Sequence, residues 1–164
     1  MTLRPILRFP DPRLRRKAEA VTAFDAGLRA LVEDLFETMA AVPGVGMTAP
    51  HIGVLQRVVV LDLPRDGKGV YINPEILWSS EETARHEEGS VSMPGVGDEV
   101  ERPARIRLRW QHLDGTAQSG EADGFLAICL QHEIDQLDGV FWLQRLSRLR
   151  RDRLVKKFEK LSAR

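Results

Sequence analysis

Cysteine is nearly absent. The single one, Cys129, excludes a disulfide within the chain and fits a reducing compartment. Net charge is absent as well. The 24 Lys and Arg balance the 24 Asp and Glu, so global charge gives no support to a nucleic-acid partner and DNA binding is not expected. No apolar run approaches the ~20 residues of a membrane span, and Met1-Thr2-Leu3-Arg4-Pro5 lacks the apolar stretch of a signal peptide. A cytoplasmic protein without membrane contact is the expectation. Internal repeats and low-complexity segments are missing too. What remains is 164 residues, 43% hydrophobic and 29% charged, enough for one domain over 1–164 with a real core and too little for two.

Asp25 is a candidate N-cap. After it, Leu28, Leu31, Val32, Leu35 and Met39 recur at helical spacing, which predicts a helix ending near Val42-Pro43. A glycine-rich loop follows, Gly44 to Gly53. Arg57 to Leu63 reads as a strand, Asp66-Gly67 as a turn, and Val70-Tyr71-Ile72 as a strand ending at Asn73-Pro74. Glu81 to Glu88 is acidic and expected to be solvated. Ile106, Leu108 and Trp110 alternate with Arg105, Arg107 and Arg109, the pattern of a half-buried strand. Asp114-Gly115 and Gly120 mark a loop. A second helix is predicted over Gly124 to Leu137, stopped by Gly139. A short strand is expected near Val140–Trp142, then an amphipathic helix from about Leu149 with Leu154, Phe158 and Leu161 on its apolar side.

The segment Gln131-His132-Glu133-Ile134-Asp135-Gln136 carries the chemistry. In HExxH, two histidines one helical turn apart grip a metal, and the glutamate between them takes a proton from metal-bound water. His132 and Glu133 are in place, but Gln136 occupies the second histidine's position. Taken alone, such a pair is most often a surface glutamate beside a satisfied histidine.

Two further segments change that reading. Gly44 to Gly53, Glu88-Gly89-Ser90-Val91-Ser92 and Gln131 to Gly139 together resemble, in order and spacing, the three signature motifs of the peptide deformylase family. The similarity continues through Arg102-Pro103-Ala104-Arg105 and Gly124-Phe125-Leu126-Ala127. It implies an α+β, peptide-deformylase-like fold, with small, mainly antiparallel sheets around a central helix carrying His132-Glu133 and a C-terminal helix after it. It also implies an activity, the metal-dependent hydrolytic removal of formyl from N-formylmethionyl peptides. The family holds ferrous iron, zinc or nickel with a cysteine of the second motif and both histidines of the third.

Carried over by resemblance, Glu133 matches the general base and His132 a metal ligand. Val91 would supply an oxyanion N–H. Gly46 and Gly89 would keep backbone close to an extended peptide, and Val45, Ile128, Cys129 and His132 would line the methionine pocket. Glu88 and Arg102 match a structural ion pair. Three positions depart from the family. Ser90 stands for the cysteine ligand, Gln136 for the second histidine, and His51 for the oxyanion glutamine. A neutral hydroxyl and an amide oxygen are weak donors to these metals, so the metal is expected to be weakly held or absent and deformylation lost or strongly impaired.

His51 leaves three readings open. It could join His132 in a rebuilt metal site that supports deformylase or amidase activity. It could donate to an oxyanion. It could be a loop residue freed from constraint, which is the preferred reading. Ser90 lies outside any Gly-x-Ser-x-Gly elbow, and no acid behind His132 is evident for a triad. Cys129 reads as a small buried apolar residue. His86 and His112 read as exposed. Residues 148–164 form a basic segment, expected to be a solvated helix face or, as in some deformylases, a ribosome contact; nascent peptide N-termini are the other expected partner.

Overall fold

The Asp25 side chain accepts a hydrogen bond from the Leu28 N–H at 3.0 Å and opens helix α1, Ala26–Ala40, where the apolar spacing placed it. The structure is a computed structural model describing residues 2–164. After α1 come β1 (Gly46–Thr48), a 3-10 turn (Ala49–Ile52), β2 (Val58–Leu63), β3 (Gly67–Ser79), β4 (Thr83–Ser90), β5 (Met93–Pro103), β6 (Arg105–Gln111), β7 (Ala117–Asp123), α2 (Gly124–Leu137) and α3 (Arg148–Ser162). Five strands form one sheet in the order β1-β2-β3-β6-β7, and β4 with β5 forms a separate hairpin. Every ladder is antiparallel. The parallel element is an isolated bridge from Glu19 to Gln56.

β2 explains its own unbroken run of valines. Val58 and Val60 pack with Leu28, Leu31 and Leu35 of α1 on one face, while Val59, Leu61 and Leu63 meet Leu130, Ile134 and Leu137 of α2 on the other. A strand covered on both faces needs apolar residues at every position rather than at alternate ones. The third cluster joins the hairpin residues Met93, Val96 and Val100 to Phe141, Trp142, Leu154 and Phe158, which fixes α3.

Several sequence expectations need correction. The glycine-rich segment is not all loop, because Gly46, Met47 and Thr48 pair with Leu61, Val60 and Val59. β3 does not end at Asn73-Pro74. It bulges there and runs on, with Asn73 at φ 50° and its side chain holding both backbone groups of Val21 at 2.7 and 2.9 Å. Glu81 to Glu88 lies mostly in β4, and Glu88 is buried rather than solvated. Gly120 sits inside β7, a strand hidden in the sequence because Ala122 is its one buried residue. Val140–Trp142 is not a strand. Phe141, Trp142 and Leu143 are consecutive and all enter one cluster, which a strand's alternating faces forbid, and Trp142–Arg145 forms a 3-10 turn. Leu161 stays 40% exposed, so the apolar side of α3 reduces to Leu154 and Phe158.

Gly139 ends α2 with φ 75°, and a Cβ there would lie 2.5 Å from the Arg15 carbonyl oxygen. Gly139→Ala combines left-handed strain with a backbone clash. It should cost about 2 kcal/mol and lower Tm by roughly 4–8 °C in a thermal melt.

Candidate functional site

Helix α2 is buried nearly all round, with ten of its residues in the interior. Ala127, Leu130, Ile134 and Leu137 face the sheet. Ile128, Cys129, His132 and Glu133 instead line a cavity of about 660 Å³. The opposite walls are Gly44 to Gly46, His51 and the β4–β5 turn from Gly89 to Val91. Val45, Gly46, Gly89, Ser90, Val91 and Cys129 thus all line this one cavity. Gln136 does not line the cavity. Its Nε2 donates to the Leu14 carbonyl at 2.7 Å, with 2% of the residue exposed.

Glycine is required where the walls close. A Cβ on Gly46 would lie 2.9 Å from Glu133 Oε1, and one on Gly44 would lie 2.8 Å from Val91 Cγ1. The first contact means that Gly46 makes room for the Glu133 carboxylate itself.

A chain of charges holds α2 to the hairpin. Arg102 donates to Glu88 through Nε and Nη2, at 2.6 and 2.9 Å, and to Asp135 at 2.9 Å. Arg145 donates to the same Asp135 at 2.9 and 2.7 Å. Glu88 also lies 2.8 Å from His132 Nδ1. An acid thus does stand behind His132, contrary to the sequence reading. Nδ1–H donates to that carboxylate and leaves Nε2 on the cavity side, 3.9 Å from Glu133 Oε1. Ser90 completes no triad here; its Oγ accepts from the Ser92 N–H at 3.1 Å.

His51 is held differently. The Thr48 backbone N–H donates to His51 Nδ1 at 2.9 Å, and the Thr48 hydroxyl lies at the same distance from that atom. A ring nitrogen that accepts from an amide N–H carries no proton, so the hydrogen of the neutral ring is on Nε2. Nε2 is buried without a hydrogen-bond partner among the described residues, and so is Glu133 Oε2.

Burial governs the titration. It drives His51 down to about 3, with the positive charge of His132 adding to the effect. It pushes Glu133 up to about 7, helped by Glu88 and opposed by His132 and Arg102. Burial also works against charge on Glu88, but hydrogen bonds from His132 and Arg102 outweigh it and hold that carboxyl at about 2. His132 loses from burial and gains more from Glu88 and Glu133, which sets it above its ordinary value. Burial, then Glu133 and Glu88, raise the Cys129 thiol to about 12, the condition of an inert packing cysteine.

Thr48, Asp135, Arg145 and the Leu14 carbonyl were not assigned roles from sequence. Asp135 was visible inside the third motif, whereas a backbone carbonyl leaves no signal there. His86 is exposed, as expected, but its ring packs against Phe125 on the cavity rim, with centroids 5.0 Å apart and planes tilted by 38°.

The chain matches the polypeptide deformylase family over residues 3–152. It is 67% identical over 162 residues to the peptide deformylase-like protein of Brucella melitensis, covering 98% of this chain and 99% of that one. The solved peptide deformylase of Legionella pneumophila superposes with a TM-score of 0.93 at 38% identity, covering 99% of this chain and 96% of that one. The peptide deformylase of Ehrlichia chaffeensis, solved in complex with actinonin, gives 0.92 at 38% identity and covers 98% of both chains.

Glu88 generates a pH prediction. Its folded pKa lies below the ordinary value, so its contribution is fully present above about pH 4.5 and is lost as pH falls toward about 2. Glu88→Gln should lower stability by about 3 kcal/mol at neutral pH. Denaturant melts across the acid range should show the gap to wild type narrowing below pH 4.5.

Proposed function

Because the chain belongs to the polypeptide deformylase family, we propose that it is a deformylase-like protein with a degenerate metal site. The family reaction is metal-dependent hydrolytic removal of formyl from N-formylmethionyl peptides. Here it is lost or strongly impaired, and the cavity still takes the N-terminal segment of a nascent peptide.

The observation that carries this reading is the Gln136 amide bound to the Leu14 carbonyl, away from the cavity. The other donors compound it. Ser90 offers a neutral hydroxyl that already accepts from Ser92. Of the buried His51 and His132, His132 alone leaves an unprotonated ring nitrogen, Nε2, free of a hydrogen bond when its ring is neutral. Among the described residues, no group of three or more His, Cys, Asp or Glu is arranged to hold a metal ion. Such a donor set does not fit iron, zinc or nickel. Without a metal-acidified water, Glu133 has nothing suitable to deprotonate.

The competing reading is a site rebuilt from His51 and His132. It requires His51 Nε2 as a ligand atom, and the hydrogen bond from Thr48 puts the proton there. Moving the proton to Nδ1 would leave the buried Thr48 N–H unpaired, at about 1–3 kcal/mol.

α3 supports a ribosomal place of action. Arg150 is paired with Asp98, but Arg153, Lys156, Lys157 and Lys160 are exposed. Deleting 148–164 would remove Leu154 and Phe158 from the core, so charge reversal is the cleaner probe. Lys156→Glu, Lys157→Glu and Lys160→Glu together should abolish co-sedimentation with ribosomes at low salt without lowering Tm; unchanged sedimentation would refute the contact.

For the reaction, the wild-type chain should be given ferrous iron without oxygen. It should release formate from a formyl-Met tripeptide at least about a hundredfold more slowly than the Legionella pneumophila enzyme assayed beside it. Comparable rates would refute the loss.

A further inference from the structure

The five-stranded sheet ends on β7. That strand runs for seven residues, and its register with β6 is unbroken from Arg105 opposite Asp123 to Gln111 opposite Ala117. Ala122 is its one buried residue, so the edge is open along its length. Among the described residues, β6 alone forms backbone hydrogen bonds with residues 118–122. The strand carries no Pro, no Lys and no bulge, the usual devices that stop a free edge from pairing with another. On its outer face, Ser119 lies opposite Arg109 and Glu121 opposite Arg107. Arg107 reaches Glu121 only at 3.5 Å, and the Glu121 side chain stays 72% exposed. On the inner face Trp110 is half-buried, and a Cβ on Gly120 would lie 3.4 Å from its Cη2.

We propose that β7 pairs with β7 of a second copy of this chain, antiparallel about a two-fold axis at Gly120, joining the two five-stranded sheets into one. Ala117 then faces the partner's Asp123, Gln118 the partner's Ala122, Ser119 the partner's Glu121, and Gly120 the partner's Gly120. This register uses the whole strand and sets no like charges opposite each other. A slide by one residue would set outer side chains against inner ones. Either slide by two shortens the ladder, and one of them sets Glu121 against the partner's Glu121. Charge complements the backbone pairing. Arg109 and the partner's Glu121 stand two strand spacings apart, roughly 10 Å, a gap that the two long side chains span over the short Ser119. The outer face then runs Glu75, Arg109, the partner's Glu121 and the partner's Arg107, alternating in sign. On the inner face Gly120 meets the partner's Gly120 with no side chain between. The Trp110 ring that overhangs this glycine meets the partner's Trp110 across the gap, which covers the exposed part of both indoles. A second copy fits this edge because the strand's complement is its own sequence read backwards. None of these residues lines the cavity, so the pairing stands apart from the reading of the cavity.

Sedimentation equilibrium on the full chain tests the pairing. The interface is small, so wild type should be a monomer at about 1 µM and a dimer at a concentration on the order of 100 µM. Glu121→Lys brings a lysine to the partner's Arg109, and Arg109→Glu brings a glutamate to the partner's Glu121. Both side chains are more than half exposed, so neither change disturbs the core. Each variant alone should dimerise at least about tenfold more weakly than wild type. Mixed in equal amounts, the two should recover wild-type association, because every charge at the axis then meets its opposite. Wild type that stays monomeric at the higher concentration would leave the edge bare or open to a different protein, and would overturn the proposal. Variants that dimerise like wild type, or a mixture as monomeric as its parts, would overturn it too.

Discussion

The Glu88 carboxylate accepts from Arg102 and from His132 at once, at 2.6–2.9 Å, with 7% of the residue exposed. It sits on β4, and its partners sit on β5 and α2. One buried acid therefore ties the hairpin to the central helix and chooses the tautomer of His132. Arg102 passes the constraint on to Asp135, and Asp135 to Arg145 beyond the helix end. A buried charge left without its partner is strongly unfavourable, so each member keeps the next in place. This chain of charges braces the cavity wall on which His132, Cys129 and Glu133 stand.

The helix is tied at its C-terminal end as well. Gln136 ties α2 to the Leu14 turn, and Ala18 donates to the Leu137 carbonyl at 2.8 Å on the same stretch. Gln136, at the position of the third motif's second histidine, thus binds the N-terminal segment. Across the cavity, the Thr48 N–H turns His51 into a fixed donor. The cavity thus presents the fixed N–H of His51 beside the Glu133 carboxyl, with His132 Nε2 3.9 Å from Glu133 Oε1. The wall itself is ordinary packing. Leu61 of β2 touches both Gly46 and the cluster beneath α2, so the sheet sets how closely β1 can approach Glu133.

Much of this was legible in the residues. Asp25, the α1 stripe, the valines of β2 and the span of α2 from Gly124 to Leu137 follow local rules that the sequence states openly. β4, β5 and β7 do not. They are rich in charged and small residues, and their burial comes from pairing partners far along the chain, which periodicity cannot register. The site divides in the same way. Glu133, His132, Ser90 and Gln136 are recognisable because a motif fixes their spacing. The tautomer of His51 is invisible because a backbone N–H sets it, and the acid behind His132 lies 44 residues away in Glu88. Asn73 is a third case. A strand was expected to end there, but its side chain binds Val21 and Gln111, and the strand resumes after a bulge.

The account stands or falls on the pocket's polar atoms being arranged for hydrogen bonding rather than coordination. Metal content per chain tests that most directly. The protein would be purified without oxygen, supplied in turn with excess iron, zinc and nickel, and freed of loose ions before elemental analysis. The account requires metal at background level for all three. Near-stoichiometric retention of any one would mean that His51, Gln136 or Ser90 rearranges to bind it, and would contradict the account.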